Sequence, residues 1–239
     1  MSRSNPTTTN PATKFFSWAG GDGELVYYDK ELEKRVVQKT PFEFMVLDEL
    51  STITGWCDED ESGYWSNEVR NIKKDELTVK TSKRTWSVDV YDNLADVRAK
   101  GAKYAKSVYI AYKDGTQLAI GNIKMSGAAL TAWIEFTKKT DVYKCAVVLK
   151  GKSDVQTKGK TEYYLPVFES NKVSPDTNEH AVELDRELQE YLRVYFSVKE
   201  SDNDKTHGSL SDEVPLSAYD DGDMSEADHE PVSLEDIPF

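Results

Sequence analysis

Leu234-Glu235-Asp236-Ile237-Pro238-Phe239, with the acidic run that leads into it, is the stretch on which the reading of this 239-residue chain turns. From Ser201 to Phe239 there are twelve Asp and Glu against a single Lys, Lys205. That segment holds −11 of the chain's formal −13, and residues 1–200, with 29 basic and 31 acidic groups, are close to neutral. Its apolar residues are isolated and too few to offset the entropy of ordering, so residues 201–239 read as a solvated, disordered acidic tail. A tail that served solubility alone would not need an apolar tip. Ile237-Pro238-Phe239, flanked by Glu235 and Asp236 and closed by a carboxylate, suits an apolar pocket with a basic rim on another protein.

The ending Glu235-Asp236-Ile237-Pro238-Phe239 resembles the C-terminal peptide of bacterial single-stranded-DNA-binding proteins, in which an acidic tail ends in Asp-Asp-Asp-Ile-Pro-Phe. The resemblance implies a tip that docks genome-maintenance proteins and a separate OB-fold domain that holds the strand. Glu235 stands where the family has Asp, Leu234 precedes it, and there is no Gln/Gly-rich linker. The segments Gly63-Tyr64-Trp65-Ser66-Asn67-Glu68-Val69-Arg70 and Ala102-Lys103-Tyr104-Ala105-Lys106-Ser107-Val108-Tyr109 resemble bacteriophage-encoded members more than cellular ones.

Working back from the tail, about 200 residues remain, enough for a sizeable core. Residues 1–13 read as a flexible arm rich in Ser, Thr, Asn and Pro. Residues 14–200 read as the folded domain. Asp22-Gly23 signals a turn into a strand at Glu24-Tyr28, and Phe42, Phe44 and Val46 alternate along one face of another. Asp58–Gly63 reads as a solvated acidic loop. Leu77–Lys80 and Trp86–Val90 flank a basic hairpin tip at residues 81–85. Asn93 to Lys106, rich in Ala and charge, predicts a helix. Val108–Tyr112 and Gln117–Ile120 enclose the turn Lys113-Asp114-Gly115-Thr116.

Farther on, Ser126 caps a short helix with Ala129, Leu130, Trp133 and Ile134 on one face. Residues 143–149 and 163–168 read as strands. Ser174-Pro175 opens the longest helix, whose stripe of Ala181, Leu184, Leu188, Tyr191 and Tyr195, with Leu192 beside it, packs on the β body. Short strands with a few helices argue an α+β, mainly β domain on a barrel or curled sheet. The resemblance makes it an elaborated OB-fold, a five-stranded barrel-like sheet with added hairpins and helices.

Composition argues against several classes of function. Cys57 and Cys145 lie far apart with no C-x-x-C, which fits a reducing cytoplasm and gives no zinc motif. All three histidines come late, at His180, His207 and His229, so His-based triads and His-ligated metals are missing from the body. Ala146–Ser153 mimics a phosphate loop, but Ala146 stands where that loop needs Gly. Asp220-Asp221-Gly222-Asp223 lacks the spacing of a calcium loop. No apolar run reaches spanning length, and no secretory signal opens the chain. The expectation is a cytoplasmic binding protein, not an enzyme, with no cofactor and no metal.

Charge within the body is segregated. Arg70 to Lys106 holds ten basic residues against five acidic, Lys138 to Lys160 seven against two, and Asp29 to Glu61 reverses to four against ten. Sequence-tolerant strand binding needs cations for phosphates and flat rings on which bases stack. Three clusters offer both: Tyr64 and Trp65 with Arg70, Lys73 and Lys74; Lys80, Lys83 and Arg84 with Trp86; and Lys103 and Lys106 with Tyr104. Aromatic rings in a β-rich body also fill cores, and Trp86 runs on into Val88 and Val90, so both roles stay open for each ring. The expected partners are single-stranded DNA for the body and replication or recombination proteins for the tip, with homo-oligomerisation possible and no membrane. The alternative is a replisome adaptor or inhibitor that docks host proteins through the tail and binds no DNA.

Overall fold

The computed structural model describes residues 9–202. The acidic tail, its docking residues Glu235 to Phe239 and the first eight residues of the arm lie outside the described residues. Residues 10–13, assigned from sequence to the arm, are docked. Ala12 is buried, Thr13 N–H donates to the Ile120 carbonyl at 2.8 Å, and Thr13 Oγ1 lies 3.1 Å from Tyr112 Oη.

The domain is mainly β, built on a curled, half-barrel sheet with few helices. Its centre is a meander of β4 (Phe42–Cys57), β9 (Ala102–Asp114) and β10 (Gln117–Ser126), joined antiparallel. β1 (Lys14–Ala19) adds to β10 in parallel, and β2 (Glu24–Asp29) and β3 (Lys34–Gln38) extend that side. On the other side β11 (Ala146–Lys152) joins β4, and β14 (Pro166–Asn171) closes the path. With β5 (Ser62–Gly63) on β4, the sheet counts nine strands where five were expected. A separate three-stranded sheet, β6 (Trp65–Ser66), β7 (Leu77–Lys80) and β8 (Thr85–Asp89), fills most of the connection between β4 and β9. β12 (Gln156–Lys158) and β13 (Thr161–Tyr163) form a small hairpin.

Helices cover both faces of the central meander. The concave face holds the main core, with Phe16, Phe42, Phe44, Val108, Ile110, Tyr112 and Ile123 inside. Helix α2 (Gly127–Thr137) closes it, and Ala129, Leu130, Trp133 and Ile134 are buried as their spacing predicted. Helix α3 (Pro175–Asp202) lies on the opposite, outer face, where Leu188 and Leu192 meet Leu50, Tyr109 and Ile120, and Ala181 meets Met45, Ala111 and Ala146. Pro175 is its first residue, and Ser174 Oγ accepts the Thr177 N–H at 3.2 Å, a cap that satisfies one of the helix's otherwise unpaired donors. The meander therefore buries residues on alternate sides, and each side chain set finds a helix.

The helix expected from Asn93 to Lys106 is reduced to α1 (Ala95–Ala99). Gly101 stops it with φ of 101°, a conformation open to Gly. From Ala102 the sequence alternates, Tyr104, Lys106, Val108 and Ile110 inward, and the pairing with β4 overrides helix propensity. The strand expected at 163–168 is also split, with β13 ending at Tyr163 and β14 starting at Pro166.

Candidate nucleic-acid interface

The three basic and aromatic clusters have three different fates. Lys103, Tyr104 and Lys106 are divided by the alternation of β9. Tyr104 is buried with its hydroxyl 3.1 Å from Ser51 Oγ, and burial pushes its phenol up to about 12. Lys106 is 8% exposed and its ammonium sits 3.4 Å from the Glu49 carboxylate. That carboxylate also accepts the Trp133 indole N–H at 2.6 Å, so Lys106 is the cation of a buried pair under α2. Neither residue has a surface to offer a strand; Lys103, on the outer face, is exposed.

The Lys80 to Trp86 hairpin forms where expected but is occupied from within. Asp60 is buried, 5% exposed, and accepts Thr81 Oγ1 at 2.6 Å, Trp86 Nε1 at 2.8 Å and Arg84 Nε at 3.1 Å. The Thr81 hydrogen bond, helped by Arg84 and Trp86 and opposed by desolvation, holds its carboxyl down at about 2. Glu59 takes Arg84 at 2.9 Å and Lys100 at 2.7 Å. The guanidinium of Arg84 lies 3.9 Å and Lys100 Nζ 4.6 Å from the centre of the Trp86 ring, which also meets Tyr64 edge-on at 5.8 Å. The Asp58–Gly63 loop, read as solvated, is thus the acidic half of this cluster. Arg84 and Trp86 hold the loop to the hairpin; Lys83, exposed at the tip, and Lys80, set against Trp65, have no ion pair among the described residues.

In the remaining cluster Tyr64 is buried, 3% exposed, and joins the core. Arg70 grips Asp48 through both terminal nitrogens, at 3.3 and 3.0 Å, reaches Gln189 on α3, and lies 5.3 Å from the Phe196 ring. It anchors the roof helix to the sheet. Lys73 and Lys74 are exposed on the turn between β6 and β7. Trp65 is half-exposed, next to buried Tyr64, and pairs across the strand with Lys80, whose ammonium lies 5.2 Å from its ring centre.

A residue absent from the sequence reading completes this last surface. Trp56, near the end of β4, is 48% exposed. Its cross-strand partner is Gly63, two residues before Trp65, and the Tyr64 N–H donates to the Gly55 carbonyl at 2.7 Å. Lys103 is paired with Thr54, two residues before Trp56, so alternation sets Trp56 and Lys103 on one face. Two glycines allow this approach. A Cβ on Gly55 would lie 2.1 Å from the Gly101 carbonyl oxygen, and one on Gly101 would lie 2.3 Å from that of Trp56. The result is a margin with two indole rings, Trp56 and Trp65, and two ammonium groups, Lys80 and Lys103. Chemically it can neutralise phosphates and stack bases, and among the described residues no set of three His, Cys, Asp or Glu is placed to hold a metal ion.

Trp56 was missed because the phase of β4 changes. Phe42, Phe44 and Val46 point inward, and continuing that alternation would bury position 56. A bulge between Val46 and Asp48 shifts the register, so that Glu49, Ile53 and Cys57 point inward and Trp56 outward.

No protein-family model, curated protein or solved structure matches the chain. No helix among the described residues is long and apolar enough to cross a membrane.

Proposed function

We propose that this chain is a sequence-tolerant single-stranded-DNA-binding protein that protects exposed strands in replication and recombination. Its acidic tail recruits partner proteins through Glu235, Asp236, Ile237, Pro238 and Phe239. The observation that carries the binding part is the Trp56, Trp65, Lys80 and Lys103 margin, in which rings and cations reach the surface while Arg84 and Trp86, and Tyr104 and Lys106, are spent on internal contacts. Binding is non-covalent, by replacement of phosphate counterions and stacking on indoles. A cytoplasmic setting, in a bacterial host of a phage, accompanies this reading.

An OB-like reading of the barrel has support from strand order. The antiparallel meander β4-β9-β10 is followed by α2 and then by β11, which returns to β4. An OB barrel has this sequence of elements, with a fifth strand lying parallel to the third. Here β1 lies parallel to β10, supplied from before the meander rather than after it. The outer face of that meander, where an OB domain holds its strand, is roofed by α3. This reading therefore assigns the strand to the margin beside the roof.

The test is a titration of the full chain with oligo-dT and with duplex DNA at two salt concentrations, followed by Trp fluorescence. Expected are quenching by oligo-dT, weaker binding of duplex, and a log–log salt slope of about 0.7 per phosphate contacted. A chain whose fluorescence and mobility ignore oligo-dT, yet which still captures replication proteins through its tip, is the tail-borne adaptor instead.

A further inference from the structure

The outward face of the three-stranded sheet continues the margin beyond Trp65 and Lys80. Leu77 and Val79 are buried, so Thr78 and Lys80, which alternate with them, face the other way. Lys80 is flanked by Trp65 on β6 and Thr85 on β8, and Thr78 is paired with Val88 on β8. Those five side chains share one face, and its only charge is the Lys80 ammonium. Lys83, exposed at the hairpin tip, adds a cation at the same end. Of the flanking acids, Asp89 accepts the Val90 N–H and Asn93 Nδ2 at 2.7 and 2.8 Å, and Glu76 precedes β7 at the end away from Lys80.

Val88 owes its position to a bulge. Plain alternation would put Trp86 and Val88 on one face. Ser87 stands opposite Val79 and Thr85 opposite Lys80, which leaves Trp86 as the extra residue of β8. Trp86 turns in toward Asp60 and Tyr64, and Val88 turns out, 52% exposed, beside half-exposed Thr78. A lone exposed Val calls for no account. This one shares its face with a ring and an unpaired cation. From Trp65 to Val88 there are two strand spacings of about 4.8 Å across and two residues of about 3.3 Å along, roughly 12 Å in all. At about 3.4 Å per stacked nucleotide, some four nucleotides span that distance. Lys80 and Val88, one spacing and two residues apart, are separated by roughly 8 Å, so the two can meet the phosphate and the base of one nucleotide.

We propose that Val88 is a specificity-determining residue of the strand site, packing the 5-methyl group of thymine and favouring thymine over uracil. This inference rests on the binding function proposed above. Thymine carries an apolar group on its edge, and apolar side chains recognise it by contact with that methyl. Uracil has the same ring and hydrogen-bonding groups but leaves Val88 against water. The probes are fluorescein-labelled oligo-dT and oligo-dU of equal length, which differ by that methyl alone. They are titrated by anisotropy against the full chain and its Val88→Ala and Val88→Ile variants. The wild type should bind oligo-dT about four-fold more tightly than oligo-dU, the worth of one methyl group removed from water. Val88→Ala should bring oligo-dT down to the affinity of oligo-dU and leave oligo-dU unchanged. Val88→Ile, which keeps the apolar contact, should retain the preference. If the wild type binds both probes alike, or if Val88→Ala keeps the preference or weakens both probes equally, Val88 reads no base while the binding function stands. If the wild type binds neither oligonucleotide, both fall together.

Discussion

Trp86 with Arg84 and Trp65 with Lys80 are the same pair of residue types, on neighbouring strands of one small sheet, yet their environments are opposite. The first pair is met by Glu59 and Asp60, which neutralise the guanidinium, take the indole N–H and hold the ring against Tyr64. No acid is paired with Lys80 or Lys103 among the described residues, and exposed Trp56 stands beside them. Composition cannot distinguish these cases. What distinguishes them is a loop some 24 residues upstream that folds onto one pair and leaves the other open. A cation and a ring make a binding surface only where the fold has not already supplied their partners.

That contrast can be broken most forcefully from the inside. Lys106→Ala leaves Glu49 and the Trp133 indole without their cation, and Trp86→Ala removes a ring packed on the core. We expect each to cost about 3 kcal/mol of unfolding free energy, read from urea denaturation. Either variant unfolding at the wild-type midpoint would return its residue to the list of strand contacts.

Trp56→Ala is the opposite case. Unfolding free energy should move by less than about 0.5 kcal/mol, as for other exposed positions. Oligo-dT binding should weaken by about 1–3 kcal/mol, seen as loss of affinity and of most of the fluorescence quenching. Unchanged affinity would remove the margin from the interface.

Smaller effects come from the cations. Lys80→Ala and Lys103→Ala should each lower the salt slope of oligo-dT binding by about 0.7, while Arg84→Ala should leave the slope unchanged and reduce stability. Equal slopes for all three variants would erase the difference between the two pairs.

The smallest effect is at acid pH. The Asp60 carboxyl is lowered from about 3.8 to about 2, so its contribution to stability is fully present above about pH 4 and is lost as pH falls through about 2. Asp60→Asn should flatten that part of the acid unfolding curve, measured by circular dichroism between pH 4 and pH 2. A curve parallel to wild type would mean that the carboxylate does not hold the loop to the hairpin.

Much of the fold was legible in local pattern. The hairpins at residues 77–89 and 108–120, the face of α2 and the stripe of α3 are set by period and turn chemistry, which act over a few residues. Where a non-local term intervened, the pattern gave way. The Ala-rich stretch around Arg98 could not extend past Gly101, since pairing with β4 gives Ala102 to Lys106 more than a helix would.

By itself, then, the sequence determined a mainly β body with helices at α2 and α3, a charge-segregated surface, and an acidic C-terminal segment ending in Ile-Pro-Phe. The chain's own alternation and charge suffice for those. Only the tertiary structure decided which rings and cations face solvent. A one-residue bulge in β4 turned Trp56 outward, the strand pairing of β9 turned Tyr104 and Lys106 inward, and an upstream carboxylate neutralised Arg84. Each is a consequence of register or of contacts between residues far apart in the chain, and such quantities have no signature in local composition.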